Sequence, residues 1–412
     1  MKRISFLVPT YNRAAFLAEA LRAILREIGD DDEVLVIDDG STDSTPEIAA
    51  AAGPRIRYVR QDNRGKSVAL NRGMRETTGE FVWICDDDDR LRPGVVEPFV
   101  KALNDSDAGF IFGRYTRFDD QTGRDLGTGY WPDLSSGSII RHVLEDAFVM
   151  QNAALVRRSA IEAVGPFSEA MLRSLDYEMF VRVACSYPAI FGDTVVFEQR
   201  KHSGARGPAA ITHEASASMT VWNKYDAAIF ANLRKWAPLE LFEAMFKADS
   251  VHSRKRAALL ERGVCMARHD CWDEARTDFE LAGEASNAPL EREAVRICKR
   301  ALAGKHGVAG KAAGHVSDGL TDLARRTGTG REIAYAILAG GLWRLRSPQA
   351  GEARTMLRLL VRVAGPRAPL VYLLRNSDNR SDLLLERSAL PAGAYLRPGM
   401  IPPVANALPA VQ

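Results

Sequence analysis

No apolar run in this 412-residue chain is long enough to cross a bilayer. The start is basic and then apolar, but the run Ile4–Val8 stops at Pro9. A secretory core needs roughly 7–15 apolar residues, so this stretch is expected to be a first β-strand. Metal or disulfide spacing is also missing. The five cysteines (Cys85, Cys185, Cys265, Cys271, Cys298) are odd in number and include no CxxC, which leaves reduced thiols in the cytoplasm as the expectation. Charge imbalance is absent too: a net charge of +2 points to no partner class. Gly65-Lys66-Ser67 looks like the end of a phosphate-binding P-loop, but the position five residues before Gly65 is Arg60 rather than glycine. That excludes a P-loop. With 46% hydrophobic and 26% charged residues, the composition is that of a globular protein, long enough for roughly two or three domains.

What the chain does have is four consecutive aspartates, Asp86 to Asp89, directly after the apolar run Phe81-Val82-Trp83-Ile84-Cys85. Adjacent carboxylates repel, and burying them unpaired is costly. Hard oxygen ligands of this kind suit Mg²⁺ or Mn²⁺, often with a phosphate attached; an acidic solvated turn is the plainer alternative. The surrounding pattern alternates. Ile4–Val8, Glu33–Ile37, Ile56–Arg60, Phe81–Cys85 and Gly109–Arg117 read as strands, and Ala14–Ile28, Thr45–Ala52 and Ser67–Thr77 as helices. Such βαβ spacing predicts a mostly parallel sheet with ligands at the carboxyl ends of its strands. Those ends are Pro9-Thr10-Tyr11-Asn12, Asp38-Asp39 and Asp86–Asp89, so three polar clusters converge on one edge.

From about residue 215 the composition turns to Ala, Arg, Leu and Glu with helical periodicity. Arg262-Gly263, Trp272, Glu274-Ala275-Arg276 and Phe279 suggest one helical hairpin, and Arg331–Arg346 with Ala350–Val363 a second. These resemble tetratricopeptide repeats, without a clean period. The expected organisation is a catalytic α/β domain over 1–215, an α-helical domain over 216–388 and a flexible proline-containing tail over 389–412. Asp119–Ser138 reads as a surface loop.

Five segments in order resemble family 2 glycosyltransferases, which have the GT-A fold: Ser5–Arg13, Glu33–Asp43, Asn63–Gly73, Gly79–Asp89, and Val164–Glu169 with Asp176–Arg182. The resemblance covers roughly residues 1–205. It implies an inverting, metal-dependent transfer of a hexosyl or N-acetylhexosaminyl group from a nucleotide-diphosphate donor, a UDP-sugar, to an acceptor hydroxyl, in polysaccharide, glycolipid or protein glycan synthesis. The implied cofactor is Mn²⁺ or Mg²⁺. Asp88 falls on the metal-binding aspartate, Asp86 and Asp87 on the ribose or metal shell, and Asp89 on a turn cap. The four-residue run leaves this register open by one. Pro9 and Tyr11 are implied at the base, with strand-end packing the alternative for Tyr11, and Asp39 at its polar edge. Asp38 is expected to cap a turn. His202, in Arg200-Lys201-His202, completes the metal shell by the same resemblance, the alternative being a surface histidine. Lys66 or Arg64 lies near the phosphates or merely starts a helix.

The family's catalytic base falls on Asp176. Here the preceding residue is Leu175 where the family usually has a carboxylate, which removes one upward influence on the Asp176 pKa. A simple helix cap is the alternative role for Asp176, and Glu178 is the competing base. Two other functions compete. A nucleotidyltransferase needs a Gly-rich basic N-terminal loop, and Pro9–Arg13 is not one. A catalytically silent sugar-nucleotide domain on a helical interaction scaffold would bind partners without turnover. Expected partners are the nucleotide-sugar donor, a glycan, lipid-linked or protein acceptor, and a protein bound by the helical half. Arginine-rich helices between Arg254 and Arg380 add peripheral contact with the inner membrane surface; solvated helix faces are the alternative.

Overall fold

The computed structural model describes residues 2–202, 218–286, 288–304, 312–346, 350–371 and 384–405. In chain order the first elements are β1 (Ile4–Thr10), α1 (Ala14–Leu25), β2 (Glu33–Asp38), α2 (Thr45–Ala51), β3 (Ile56–Arg60) and α3 (Lys66–Glu76). Then come β4 (Phe81–Ile84), β5 (Arg90–Leu91), α4 (Val96–Asn104), β6 (Phe110–Asp119), β7 (Asp125–Thr128) and α5 (Ile139–Glu145). They are followed by β8 (Ala154–Arg157), α6 (Arg158–Val164), α7 (Leu175–Ser186) and β9 (Ala189–Lys201).

The chain forms two compact units. The first comprises Met1–Asp133, Ala147–Tyr225 and Leu396–Gln412. Its sheet runs β3-β2-β1-β4-β8-β6-β9-β5, with β7 added to β6. Strands β3, β2, β1 and β4 are parallel, β8 is antiparallel to both β4 and β6, and β9 runs parallel to β6. This mixed sheet with flanking helices is the GT-A arrangement. All seven residues of β1 are buried, as expected for a parallel strand covered on both faces. Below the sheet Phe6, Trp83 and Phe99 stack in series, with centroids 5.9 and 5.7 Å apart. Gly79 lets the chain enter β4 beside β1, because a Cβ there would lie 2.5 Å from the Ser5 backbone nitrogen. In register, Thr10 faces Asp38 and Leu7 faces Ile84, so the acidic segments leave the sheet at the same edge.

The second unit comprises Leu134–Asp146 and Asp226–Tyr395. It is helical: α8 (Ser218–Trp236) contains the boundary, and α9 (Leu239–Glu243), α10 (Val251–Arg268), α11 (Trp272–Glu284), α12 (Arg292–Arg300), α13 (Ala312–Arg326), α14 (Gly328–Gly341) and α15 (Ala350–Ala364) follow. A small antiparallel pair joins β10 (Phe246–Ala248) to β11 (Leu384–Glu386). Helices α10 and α11 form the hairpin expected around Gly263, where an added Cβ would sit 2.6 Å from the Phe279 ring. Five buried or half-buried charges cross-link this unit. Arg300 contacts Glu145 at 2.6 Å, Glu386 at 3.4 Å and Glu261, while Arg141 reaches Glu145 at 3.0 Å and Glu386 at 2.6 Å. These pairs tie α5 and β11 into the helical unit.

Two expectations need correction. The Asp119–Ser138 stretch is not only a loop. Its first part is a hairpin strand on β6, and Trp131 packs its ring 5.2–6.0 Å from Phe112, Phe148 and Phe191. Residues 396–405, read as flexible for their prolines, belong to the first unit. Leu396 N donates to Cys185 O at 2.9 Å, Ser168 Oγ to Val404 O at 2.6 Å and Val404 N to Glu178 at 3.2 Å. Apolar Ile401 and Val404 are buried, and that burial outweighs the loop-like composition. No helix among the described residues is long and apolar enough to cross a membrane.

Candidate active site

The loops after β1 and β2 are laced together. Asn12 adopts a left-handed conformation (φ 51°), accepts from Thr42 N at 2.7 Å and donates its own N–H to Ser41 Oγ at 2.9 Å. Asp43 caps α1 from outside by accepting from Ala14 N at 3.1 Å. Pro9 is buried at the end of β1, and Tyr11, just beyond, is exposed. Asp38 is fully buried and accepts from Ser41 N at 2.8 Å and from the Tyr58 hydroxyl. It therefore shapes the turn, as expected. Asp39 accepts from Gln61 Nε2 at 2.8 Å, Arg64 N at 3.0 Å and Gly65 N at 2.7 Å, so it fixes the loop that leads into α3. Arg64 contributes its backbone there.

The aspartate run is split among four environments. Asp86 accepts from Gln151 Nε2 at 2.7 Å and pairs with Lys66 Nζ. Asp87 is buried, and burial beside Asp88 pushes its carboxyl up to about 7. Asp88 pairs with Arg13 and lies 3.3 Å from His202 Nε2. Burial works against its charge, but His202 and Arg13 outweigh that and hold the carboxyl at about 2. Asp89 accepts from Asn152 Nδ2 at 2.6 Å and from Arg200 N at 2.9 Å. It anchors the end of the run to Asn152 and β9 rather than capping its own turn.

Asp176 sits in the first turn of α7, whose cap residue Ser174 is left-handed (φ 52°). The approach to that helix is held by α3: Asn71 donates to Phe167 O and accepts from Phe167 N, both at 2.9 Å, and Ser67 Oγ donates to Met171 O at 3.2 Å. Burial raises the Asp176 pKa, Lys66 opposes the rise and Asp86 adds to it. Asp86, Lys66 and Asp176 thus act on one another through charge, Lys66 being the link between the strand end and the helix. Glu178 is engaged elsewhere, with both its oxygens on Arg182 at 2.9 and 2.8 Å inside the fold.

Sequence reasoning passed over three residues. Gln151 and Asn152 form the floor under the run, Asn152 Oδ1 also accepting from Asp86 N at 2.9 Å. They are an adjacent amide pair between the apolar segments Phe148–Met150 and Ala153–Val156, the one signal that marks them. Arg200 donates from Nε to Asp88 O at 2.9 Å, pairs with Asp120 and Glu19, and lies 4.9 and 4.8 Å from the Phe16 and Phe118 ring centres. No cluster of three or more His, Cys, Asp or Glu poised around a single ion occurs among the described residues. The carboxylates instead carry protein cations.

Residues 5–165 match the model "Glycosyl transferase family 2". Among curated proteins, an uncharacterized glycosyltransferase of Rickettsia felis is 25% identical over 243 residues, covering 54% of this chain and 38% of that protein. The glycosyltransferase GlyG of Streptococcus pneumoniae is 33% identical over 124 residues, covering 29% of this chain and 41% of GlyG. The chain thus spans about two fifths of the length of such relatives. A solved structure of S. aureus TarS 1–349 in complex with UDP-GlcNAc superposes with a TM-score of 0.49 at 13% identity, covering 81% of this chain and 90% of that one. A likeness that distant says nothing about shared chemistry. The match to glycosyl transferase family 2 is carried by residues 5–165, under half of the chain.

Proposed function

We propose that the chain is an inverting, metal-dependent glycosyltransferase that moves a hexosyl or N-acetylhexosaminyl group from a UDP-sugar to an acceptor hydroxyl. The observation that carries this reading is the sheet edge where Asp86 pairs with Lys66 and Asp88 with Arg13, Asp176 feels the charges of Lys66 and Asp86, and Asp39 holds the loop into α3. A family 2 match over 5–165 supports the same chemistry.

The donor set suits a divalent ion. Three successive carboxylates are hard oxygen ligands, and burial followed by the neighbouring Asp88 charge pushes Asp87 up to about 7. Asp88 would hold the ion with Asp86 or Asp87 and His202, after Arg13 releases Asp88. Bound Mn²⁺ or Mg²⁺ would neutralise the leaving diphosphate. Pro9 and Tyr11 would face the base, with Asp39 at its edge both through its carboxylate and by fixing the Arg64–Gly65 backbone. Lys66, freed from Asp86, would turn to the phosphates. Asp176 would take the acceptor proton as the hydroxyl attacks. Its raised pKa favours that role, and Leu175 leaves it without a second carboxylate beside it.

The helical unit is read as tetratricopeptide-like. Gly263, Ala275, Phe279 and Pro289 follow that repeat's small-residue, Ala-x₃-Phe and Pro pattern, and Gly263 packs on Phe279. It would present a protein or acceptor surface.

The test is a panel of nucleotide sugars with Mn²⁺, scored by thermal shift and by release of the nucleoside diphosphate. A UDP-sugar should raise the melting temperature and be turned over. Binding without turnover on glycan, lipid-linked or protein acceptors would favour the silent scaffold instead.

A further inference from the structure

Helix α15 buries Met356, Leu359 and Ala364 within the helical unit. Its outer face is unlike a solvated one. Arg354, Leu357, Arg358, Val361 and Arg362 recur at three- and four-residue spacing, so they share one side of the helix, and all five are exposed. Leu357 is 53% and Val361 62% exposed. The flanking segments continue the mixture: Trp343, Leu345 and Leu370 are exposed, as are Arg346 and Arg367. This stretch of about thirty residues thus holds five of the eleven large apolar side chains exposed among the described residues, a concentration that single scattered exposures do not produce.

Its charge is of one sign. Glu352 is the only acidic residue between 342 and 371, and it pairs with Arg344 at 3.1 Å. Arg362 pairs with Asp318. Arg346, Arg354, Arg358 and Arg367 make no ion pair with a described residue.

We propose that this face docks on the surface of a membrane containing anionic phospholipid. Aliphatic side chains beside arginines on an exposed helix are the pattern of helices that lie in the headgroup layer. Leu357 and Val361 would enter the acyl boundary, Trp343 would sit at the headgroup level, and the guanidiniums would pair with lipid phosphates. A protein partner is disfavoured by the arrangement. Protein interfaces gather apolar anchors in a desolvated centre and keep charge at the rim, whereas Arg354 and Arg358 stand directly beside Leu357. This inference does not depend on the sugar-transfer reading.

The experiment is flotation of the full chain with phosphatidylcholine vesicles, with and without phosphatidylserine. The chain should float only with phosphatidylserine, and less so as salt rises. Each arginine near such a surface contributes about 1 kcal/mol, so Arg354→Glu with Arg358→Glu should lower partitioning by at least about thirtyfold, while lysine at both positions retains most of it. Leu357→Ser with Val361→Ser should weaken binding with an unchanged salt slope. Should charge reversal lower the melting temperature, glutamine at both arginines replaces it in the comparison. Three results would overturn the proposal: no preference for phosphatidylserine, variants that float like the parent, or a soluble self-assembly or acidic-protein complex that the charge variants abolish while vesicle binding is absent.

Discussion

Glu178 and Arg182 form a two-point ion pair one turn apart inside α7, at 2.9 and 2.8 Å, while Asp176, two residues earlier, forms no ion pair with a described residue. The pair is buried, and Arg182 spends its other hydrogens on the carbonyls of Val164, Gly165 and Pro166. Glu178 thus organises the turn that delivers Asp176. Asp176→Asn should leave the melting temperature and donor affinity near those of the parent and lower turnover by about a hundredfold to ten-thousandfold. Glu178→Gln should cost about 3 kcal/mol of stability by leaving Arg182 short of its counter-charge. Full activity in the first variant, with an inactive but stable second, would move the base to Glu178.

Asp88→Ala should remove the divalent-cation dependence of UDP binding without unfolding the chain. The substitution takes away one partner each of Arg13 and His202, neither of which is fully buried. Calorimetric titration with and without Mn²⁺ reads this directly. Equal UDP affinity in all four combinations of protein and metal would remove Asp88 from the metal site.

Arg200→Ala should weaken the same site from beneath. The side chain holds the Asp88 carbonyl and leaves two carboxylates, Glu19 and Asp120, when it goes. Glu19 keeps Arg90 at 2.7 Å, so the loss should be about 2–4 kcal/mol, in the range of broken buried pairs. Urea denaturation gives the stability. A Kd for UDP with Mn²⁺ that rises while the metal-free Kd stays constant gives the effect on the aspartate run.

His142 predicts an acid-sensitive helical unit. It is buried, and burial followed by the adjacent Arg141 pushes its pKa down to about 4 from an ordinary 6.5. Between those values the unfolded chain binds the proton and the folded one does not. Stability therefore rises with pH across this window and is lost as pH falls below about 6.5, by about 2 kcal/mol at pH 5. Urea midpoints at pH 7 and pH 5 should differ in the parent, and His142→Gln should shrink the difference.

Most strands and helices of the first 120 residues were legible because burial on both faces leaves continuous apolar runs between polar strand ends; β5 and α4, just after the aspartates, were not read. Asp86–Asp89 were visible because charge at the end of an apolar run is conspicuous, whereas Asp176 follows Arg173-Ser174-Leu175 and stood out only through the resemblance of its segment. What was not legible is the support beneath them. Gln151, Asn152 and Arg200 come from segments 60 to 115 residues away in sequence, and only the antiparallel return of β8 and the long β9 carry them under the aspartates. Asp39 shows the complementary gap, since its hydrogen bonds to backbone N–H groups of Arg64 and Gly65 leave no compositional trace. The packing of residues 396–405 was hidden because three buried apolar side chains, Leu396, Ile401 and Val404, among prolines look no different from a linker.

The path of the chain between its two units sets a limit on how the protein can be divided. Leu134–Asp146 leaves the sheet-bearing unit and returns at Ala147, and the chain returns again at Leu396. A gene fragment ending near residue 215 would translate α5 with Arg141 and Glu145 but without Arg300 and Glu386, which pair with them, or Arg268, which donates to the Glu145 carbonyl. It would also lack Val404, which closes over Ser168 and Glu178. Neither unit is a contiguous stretch of coding sequence, so a single recombination crossover cannot exchange one and keep the other.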